Sequence, residues 1–173
     1  MEFVVLVSEL DEVIGEMEKQ EAHIKGLLHR AFSIFIFNKK KQLLLQQRAG
    51  TKYHSPLKWT NTCCSHPRKN ESYLDATHRR LKEELGFDCH LTEKFHFIYK
   101  AEVGDGLIEH EFDRVFIGTY ENEVYINVQE VHAVRWVSIE DLKNEIKNYP
   151  DNFTEWFKII FDKYENEIEN LFQ

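Results

Sequence analysis

The chain has 173 residues and a formal net charge of −8, with 42% hydrophobic and 30% charged side chains. These values predict one soluble globular domain spanning residues 1–173. No run approaches the roughly 18 apolar residues that cross a membrane, which excludes an integral membrane protein. The apolar run Phe3–Val7 is too short for a signal peptide and is followed by acidic residues, so it is expected to be a strand. Three cysteines are too few for a disulfide framework and indicate a reducing, cytoplasmic compartment.

Basic residues are concentrated in one part of this acidic chain. Residues 22–70 contain ten lysines or arginines and no aspartate or glutamate. Such a block indicates either a nucleic-acid patch or a local site for a small anion. Because a protein that is acidic elsewhere binds polyanions poorly, a small anionic substrate is favoured and no nucleic-acid partner is expected.

Apolar alternation predicts more strands than helices. The predicted strands are Phe3–Val7, Arg30–Phe37, Leu43–Gln47, Trp59–Cys63, Phe95–Val103, Ile108–Gly118, Val124–Val128 and Ala133–Val137. The second and third are expected to form a hairpin across residues 38–41. Gly104-Asp105-Gly106 is expected to close another hairpin. Between the first and second predicted strands, Asp11–Gly15 is predicted to be a turn and Met17–Gly26 to be irregular or briefly helical.

Three helices are predicted in the second half of the chain. The first covers Glu71–Leu85, with an N-cap at Asn70, a C-terminal glycine at Gly86 and an apolar face of Leu74, Leu81 and Leu85. Ser138 begins a short helix that ends near Lys147, and after Pro150 a last helix runs from Phe153 to Phe172. Mostly antiparallel strands covered by helices predict an α+β fold, or an α/β/α sandwich with a mixed sheet.

A thiol and an imidazole lie close together in the stretch Trp59–Phe87. Cys64 and His66 are two residues apart, so in an extended segment they face the same way. A thiol with a reference pKa of about 8.5 is mostly protonated at neutral pH and can serve as an acid or, when tuned, as a base. Cys63 faces the opposite way and is expected to be a small buried side chain, and Cys89 is expected to be structural.

Glu109 and Glu111 are two residues apart on a predicted strand, so both project from one face of the sheet. Two such carboxylates repel unless they are exposed or neutralised. Three histidines near the basic block would complete a set that suits Zn²⁺ or Mn²⁺: His23, His29 and His66. With nine histidines in the chain, scattered placement is the alternative explanation. The remaining six are not expected to be ligands: His54, His78, His90, His96, His110 and His132.

Glu84 lies one helical turn after Arg80 and next to Glu83. The pair can be an ordinary surface ion pair. Alternatively, Glu84 stands over the Cys/His loop and binds Mg²⁺, which prefers one or two carboxylates together with substrate phosphates. The pattern leaves both interpretations open.

Two motifs resemble a known family. The run Trp59-Thr-Asn-Thr-Cys-Cys-Ser-His-Pro67 resembles the cysteine motif of type I isopentenyl-diphosphate Δ-isomerases. The following run from Glu71 to Phe87 resembles a degenerate Nudix box in which Ser65 takes the place of the first glycine and Arg80 replaces a metal-binding glutamate. That replacement is expected of the isomerase branch. The resemblance extends from about His23 to Trp156 and implies a Nudix-like mixed sheet flanked by helices.

The resemblance implies an enzyme of isoprenoid precursor biosynthesis that interconverts isopentenyl and dimethylallyl diphosphate. Cys64 and Glu111 would stand on opposite faces of the substrate, one delivering a proton and the other removing one. Tyr99 would hydrogen-bond within this acid–base machinery. Trp156 would place its ring against the carbocation, the alternative being a role in core packing.

The resemblance also implies metals and substrate contacts. One divalent ion, Mn²⁺ or Zn²⁺, would be held by His23, His29, His66, Glu109 and Glu111. Glu84 would hold a Mg²⁺ that bridges the substrate diphosphate, and four basic residues would contact that diphosphate: Lys19, Arg48, Lys52 and Arg80. No flavin and no membrane partner are expected, and the protein would be a monomer or a homodimer.

Two other functions are compatible with these patterns. One is a Nudix diphosphohydrolase acting on a nucleoside or isoprenoid diphosphate, and the other is a non-enzymatic domain that binds metal or anions. Hydrolysis by a metal-activated water needs no thiol, so Cys64 favours the isomerase.

Overall fold

The computed structural model describes residues 2–170, which contain nine strands and four α-helices. In chain order the strands are β1 (Phe3–Val7), β2 (Val13–Glu18), β3 (His29–Phe37), β4 (Leu43–Arg48), β5 (Trp59–Thr60), β6 (Cys63–Ser65), β7 (Leu91–Gly104), β8 (Leu107–Thr119) and β9 (Val131–Val137). The helices are α1 (Lys19–Lys25), α2 (Tyr73–Leu85), α3 (Ile139–Asn148) and α4 (Glu155–Asn170), and a short 3₁₀ turn spans Pro150–Asn152. In this part of the chain, none of the helices combines the length and apolar character that a membrane crossing requires.

The strands form one mixed sheet in which β3 lies between β6 and β8. β3 runs parallel to β8 over its whole length and antiparallel to β6. β7 pairs with β8, β9 with β4, and β1 with β2, all antiparallel. Alternate residues of β3 point to opposite faces of the sheet. Phe35 and Phe37 pack in the core that α4 covers, whereas Ile34 and Ile36 pack against α2. The predicted helix–sheet–helix arrangement is therefore confirmed.

On the α4 side of the sheet, the inward positions of β8 change from apolar to acidic along the strand. Val115 and Ile117 belong to the core that α4 covers. Asp113, Glu111 and Glu109 follow on the same face, and all three are buried. This end of the sheet face is therefore polar, and it forms the floor of the candidate site.

The predicted hairpin of β3 and β4 is confirmed at its turn, where Phe37 pairs with Leu43 in antiparallel fashion, but the two strands separate beyond this pair. The segment between β5 and β6 separates them. The Thr62 hydroxyl accepts a hydrogen bond from the Ile36 amide (2.9 Å) and donates one to the Leu44 carbonyl (2.6 Å). A side chain thus replaces part of the expected ladder. The predicted strand Trp59–Cys63 is correspondingly two short strands, β5 and β6.

Two other strand predictions are corrected. Residues 124–128 are irregular, because this segment pairs with the end of α2: the Tyr125 amide donates to Leu85 O and the Asn127 amide to Glu84 O. Strand β2 covers residues that were expected to be turn or irregular. Its apolar residues Val13 and Ile14 are exposed, so apolar alternation does not reveal it.

Helix α2 begins two residues later than predicted. Its N-cap is Ser72, whose hydroxyl accepts from the Asp75 amide (3.1 Å), while Asn70 occupies a turn with φ of 59°. Leu74 is 46% exposed and does not share the buried face, which is formed by Ala76, Thr77, Leu81, Glu84 and Leu85. Gly86 ends the helix at φ 70°, as predicted.

The remaining predicted elements of the C-terminal half are present, but they begin or end at other residues than predicted. The hairpin across Gly104–Gly106 is confirmed, and both of its strands are longer than predicted. Ser138 caps α3 by accepting a hydrogen bond from the Asp141 amide (3.1 Å). Helix α4 begins at Glu155, and its predicted end at Phe172 lies outside the described residues.

An ion-pair cluster around Asp11 fixes the turn between β1 and β2 to the rest of the protein. Arg30 Nε donates to Asp11 Oδ1 (2.6 Å) and Arg114 Nη2 to Asp11 Oδ2 (2.8 Å). Tyr73 Oη donates to the same carboxylate (3.2 Å), and both guanidinium groups lie over the Tyr73 ring. The Asp11 side chain is only 9% exposed, so this carboxylate depends on its cationic partners.

We expect Asp11→Asn to lower the free energy of unfolding by about 1–3 kcal/mol, because charge-assisted hydrogen bonds to two arginines become weaker. Asparagine tolerates the positive φ of this position, so the substitution tests charge alone. Urea denaturation would measure the change. Glu9→Gln, at an exposed acid of the same turn, serves as the control, and equal stability of both variants would contradict the prediction.

Candidate active site

A cavity of about 290 Å³ opens at the polar end of the sheet. Its walls come from β4, β6, β7, β8 and α2, from the loop between β4 and β5, and from Trp156 at the start of α4. The structure brings all of the predicted catalytic and diphosphate-contacting side chains to this cavity: Cys64, Glu111, Tyr99, Trp156, Lys19, Arg48, Lys52 and Arg80.

The five side chains predicted as ligands of one divalent ion form a cluster at the cavity, and three of them line it: His66, Glu109 and Glu111. One potential ligand atom from each lies within 4.8 Å of all the others, and all five residues are buried: His23, His29, His66, Glu109 and Glu111. They come from α1, β3, the residue after β6, and β8. The parallel register of β3 and β8 places His29 opposite Glu111. The sheet register thus joins ligands that are far apart in the sequence.

The free atoms of this cluster fit a cation. His23 Nε2 lies 3.1 Å from Glu109 Oε2, and His29 Nε2 lies 3.9 Å from the same oxygen and 3.6 Å from Glu111 Oε1. His23 Nε2, His29 Nε2 and Glu109 Oε2 are buried and have no hydrogen-bond partner among the described residues. Buried polar atoms without partners are costly. A divalent ion would satisfy all three, and two carboxylates would neutralise its charge.

The two glutamates are ionised at neutral pH. Burial raises the pKa of each carboxyl, but neighbouring imidazoles outweigh burial and lower the pKa of Glu109 and of Glu111 to about 2. For Glu109 these imidazoles are His23 and His54. For Glu111, His29 lowers the pKa most. His29 Nδ1 contacts Leu27 O at 2.8 Å, so Nε2 is the ring nitrogen that faces the carboxylates.

The thiol of Cys64 is protonated in this environment. Burial raises the pKa of Cys64 to about 12, although nearby Arg48 opposes the shift, so the thiol is protonated at neutral pH. Cys64 pairs with Ser33 of β3 and lines the cavity. Cys63 is fully buried in the core under α2, as its opposite facing predicts.

Glu111 links the cluster to the cavity. Tyr99 Oη donates to Glu111 Oε2 (2.5 Å), while His66 Nε2 lies 2.9 Å from Glu111 Oε1. Burial raises the pKa of Tyr99 well above its ordinary value, so its hydroxyl is a donor at neutral pH. One carboxylate thus faces the cluster with one oxygen and Tyr99 with the other.

Trp156 forms an apolar wall of the cavity beside a cation. The ring is 3% exposed, and the Arg48 guanidinium lies 5.2 Å from its centre. Arg48 Nε donates to Ser55 O (3.1 Å) and Nη2 to His54 O (3.1 Å). This arginine therefore holds the loop between β4 and β5 as well as facing the cavity.

Glu84 does not line the cavity as the structure stands. It is 4% exposed; Gln46 Nε2 donates to its Oε2 (2.8 Å), and Arg80 Nη2 donates to its Oε1. The Arg80–Glu84 ion pair is therefore confirmed, but it is not a surface pair, because Glu84 is buried and Arg80 is partly buried. Arg80 lines the cavity and Glu84 lies next to it, within reach of a ligand only if Arg80 changes partner.

Carboxylates pair with three of the four cations that were predicted to bind diphosphate, Lys19, Lys52 and Arg80. Glu130 accepts hydrogen bonds from Lys52 Nζ and from Arg80 Nη2 (3.1 Å). Glu2 pairs with Lys19 at 3.1 Å. Sequence reasoning missed both glutamates, because neither lies near the basic block in sequence.

His54 is the other residue that sequence reasoning missed. It was not expected to belong to the site, yet its Nε2 lies 3.1 Å from Glu109 Oε1 and the side chain lines the cavity. The signal that could have identified it is its place in the acid-free block, two residues after Lys52.

Comparisons with known proteins agree with this site. Residues 27–157 match the NUDIX domain family. The chain is 52% identical over 161 residues to "Isopentenyl-diphosphate Delta-isomerase 2" of Photorhabdus laumondii, covering 93% of this chain and 91% of that protein. It is 49% identical to "Isopentenyl-diphosphate Delta-isomerase" of Pectobacterium atrosepticum, covering 91% and 88%. The chain belongs to the isopentenyl-diphosphate Delta-isomerase family. The family predicted from the two motifs is therefore confirmed.

Solved structures confirm the fold of this family member. The DR0079 protein of Deinococcus radiodurans superimposes with a TM-score of 0.72 over 86% of this chain and 90% of its own, at 19% identity. A MutT protein of Methanosarcina mazei gives a TM-score of 0.65 over 81% and 94%, also at 19% identity. These matches show a Nudix-like fold, and the sequence matches define the branch.

For this isomerase-family member we expect Glu130→Gln to tighten the binding of inorganic pyrophosphate about three- to tenfold, measured by calorimetry with a chelator present. The neutral amide no longer competes for Lys52 and Arg80, and each of these partly buried ion pairs contributes on the order of 1 kcal/mol.

Glu121→Gln provides the control, because that carboxylate pairs with Lys39 on another surface. Weaker binding by Glu130→Gln would instead mean that Glu130 holds the two cations in place for the ligand.

Proposed function

We propose that the protein interconverts isopentenyl diphosphate and dimethylallyl diphosphate and thereby supplies isoprenoid biosynthesis. One observation carries the proposal: a protonated thiol, Cys64, lines the same cavity as the hydrogen-bonded pair Tyr99–Glu111. The relatives named for this reaction cover nearly the whole chain at about half identity.

The basic side of the cavity would bind the diphosphate head. Arg48, Lys52, Lys19 and Arg80 line one cavity, and their present partners are carboxylates or backbone carbonyls that oxygen atoms of a diphosphate can replace. Arginine suits this role because its planar fork matches phosphate oxygens. Mg²⁺ would accompany the diphosphate, and Glu84 would hold it after Arg80 turns to the substrate.

The hydrocarbon tail would lie between the two proton-transferring groups. Cys64 belongs to β6 and Glu111 to β8, the strands on either side of β3. The alkene gains a proton at its terminal carbon, a tertiary carbocation forms, and loss of a proton from the neighbouring methylene creates the new double bond. Cys64 would serve one of these transfers and Glu111, with Tyr99, the other from the opposite face. Positioned acids and bases contribute typically about 10²–10⁴-fold each.

Trp156 would stabilise the cationic intermediate and help to exclude water. Its buried ring lines the cavity, and cation–π contact is worth roughly 2 kcal/mol or more when desolvated. Water that reached the carbocation would add to it and form an alcohol, so exclusion of water preserves the product.

One divalent ion would be held by the five buried His and Glu side chains, and Mn²⁺ and Zn²⁺ both suit this donor set. When bound, the ion would supply positive charge beside Glu111. The chain itself orients that carboxylate through Tyr99 on one oxygen and holds the other beside His66. Glu111 would therefore be both a ligand and an acid–base group.

The Nudix hydrolase alternative has less support from the site. Arg80 stands where the usual box has a metal-binding glutamate, and it pairs with Glu84, which is retained from that box. No described contact favours attack by water on phosphorus.

The state of the cysteines bears on the cellular compartment. Cys63, Cys64 and Cys89 are all free thiols, which favours a reducing compartment, and we assign the protein to the cytoplasm. The chain would act as a single domain, as a monomer or a homodimer, on a small isoprenoid diphosphate and not on nucleic acid.

Incubation with isopentenyl diphosphate in deuterated water with Mg²⁺, followed by NMR, tests the function. We expect dimethylallyl diphosphate that carries deuterium in a methyl group, because the added proton comes from solvent-exchangeable groups. Release of phosphate or pyrophosphate would identify a hydrolase, and metal binding without turnover would identify a binding domain. Either result would overturn the proposal.

We expect Cys64→Ser to reduce isomerisation by at least about 10²–10⁴-fold, because a serine hydroxyl is a much weaker acid than a thiol. Circular dichroism and thermal unfolding should be unchanged, since the two side chains differ by one atom. Cys89→Ser, at a half-buried thiol outside the cavity, is the matched control. Near-normal turnover of Cys64→Ser would remove the thiol from the mechanism.

A further inference from the structure

We infer that Tyr53 and His54, adjacent residues of the loop between β4 and β5, are positioning residues for the metal cluster. They would hold Glu109 and His23 by the atoms that face away from the centre of the cluster. They would also connect the cluster to the anion-binding side of the cavity. The inference rests on the metal site of the proposed function, and it concerns side chains outside the five-ligand set.

His54 holds one oxygen of Glu109 and leaves the other for an ion. His54 Nε2–H donates to Glu109 Oε1 at 3.1 Å, and the two residues are 6% and 3% exposed. Glu109 Oε2 faces His23 Nε2 (3.1 Å) and has no hydrogen-bond partner among the described residues. The carboxylate therefore has a fixed outer oxygen and a free inner one.

Tyr53 likewise contacts the ring nitrogen of His23 that faces away from the cluster. Its hydroxyl lies 2.5 Å from His23 Nδ1, and the two rings are stacked with an interplanar angle of 26°. When Nδ1–H donates to the tyrosine oxygen, His23 Nε2 carries the lone pair that points into the cluster. His29 shows a related arrangement through the backbone, with Nδ1 2.8 Å from Leu27 O. Three ligands are thus each held on the side away from the free atom.

Outer contacts of this kind fix the tautomer and orientation of a ligand. Their removal typically costs 10- to 100-fold in metal affinity or activity. The Tyr53–His23 contact is short and the His54–Glu109 contact is buried, while the Tyr53 residue itself is 40% exposed, so an effect of this size is expected here.

The same loop reaches the other functional parts of the cavity. The His54 carbonyl accepts from Arg48 Nη2 (3.1 Å), and the His54 ring meets the Trp156 ring edge-on with centres 5.8 Å apart. Lys52 precedes Tyr53 and lines the cavity. Ser55 adopts φ of 48°, a left-handed conformation that its surroundings must maintain. Ligands at the anion side and at the metal cluster would therefore affect each other's binding, and by equal factors.

Affinity for Mn²⁺ is the direct test, measured on the full chain by titrating a chelator of known affinity into the Mn²⁺-loaded protein. We expect His54→Leu and Tyr53→Phe each to weaken Mn²⁺ binding about 10- to 100-fold. His54→Gln should retain affinity to within about threefold, because its amide N–H can still reach Glu109. His90→Leu, at an exposed histidine, is the control.

A second readout separates positioning from general stability. Inorganic pyrophosphate should bind wild-type protein more tightly when Mn²⁺ is present, and this enhancement should be smaller in His54→Leu. Circular dichroism of each variant establishes that it is folded. If His54→Leu does not fold, Tyr53→Phe and His54→Gln keep the test valid. Wild-type Mn²⁺ affinity in a folded His54→Leu, or equal losses in His54→Leu and His54→Gln, would overturn the inference.

Failure of the proposed function looks different. Wild-type protein would then bind Mn²⁺ and respond to these substitutions while producing no dimethylallyl diphosphate from isopentenyl diphosphate.

Discussion

Two buried carboxylates on one strand are the constraint around which the site is built. Glu109 and Glu111 are at most 7% exposed, and burying an ionised carboxylate without compensation is far too costly for a domain of marginal stability. Burial alone would therefore protonate both. Imidazoles from α1, β3 and the loop between β4 and β5 prevent this and lower the pKa of each carboxyl to about 2. The compensation comes from three separate segments, so the site forms only when these segments have packed together.

This compensation is incomplete within the protein. Two ring nitrogens and one carboxylate oxygen at the centre of the cluster have no hydrogen-bond partner among the described residues, while their outer atoms are held. Such an arrangement is stable when a cation takes the centre. It also explains why Glu111 can act at the cavity: the cluster fixes one of its oxygens and Tyr99 contacts the other.

The parts of this structure that could be predicted depend on local patterns. The same-face placement of Glu109 and Glu111 follows from strand periodicity, and the hairpin of β7 and β8 follows from its glycine turn. The opposite facing of Cys63 and Cys64 also follows from periodicity. The position of Thr62 between β3 and β4 could not be predicted, because a threonine hydroxyl that replaces part of a strand ladder leaves no local signal. Glu130 could not be placed for the same reason, since only the packed chain brings it to Arg80; the acid-free block suggests that His54 is near the site but does not show its contact with Glu109.

The charge balance of the cavity explains how an acidic chain can present a site for an anion. The cations at the site come from the acid-free segment and from α1 and α2, but in the free protein Glu2, Glu84 and Glu130 neutralise most of them. Arg48 differs, because its partners are backbone carbonyls and the Trp156 ring, so its charge is not neutralised by any of these contacts. A bound diphosphate would therefore have to displace a carboxylate at Lys19, Lys52 and Arg80 but not at Arg48. Displacement places negative charges beside a new negative ligand, and Mg²⁺ bound with the diphosphate offsets that repulsion. The same glutamates that weaken binding of a bare anion thus favour an anion that carries its own cation.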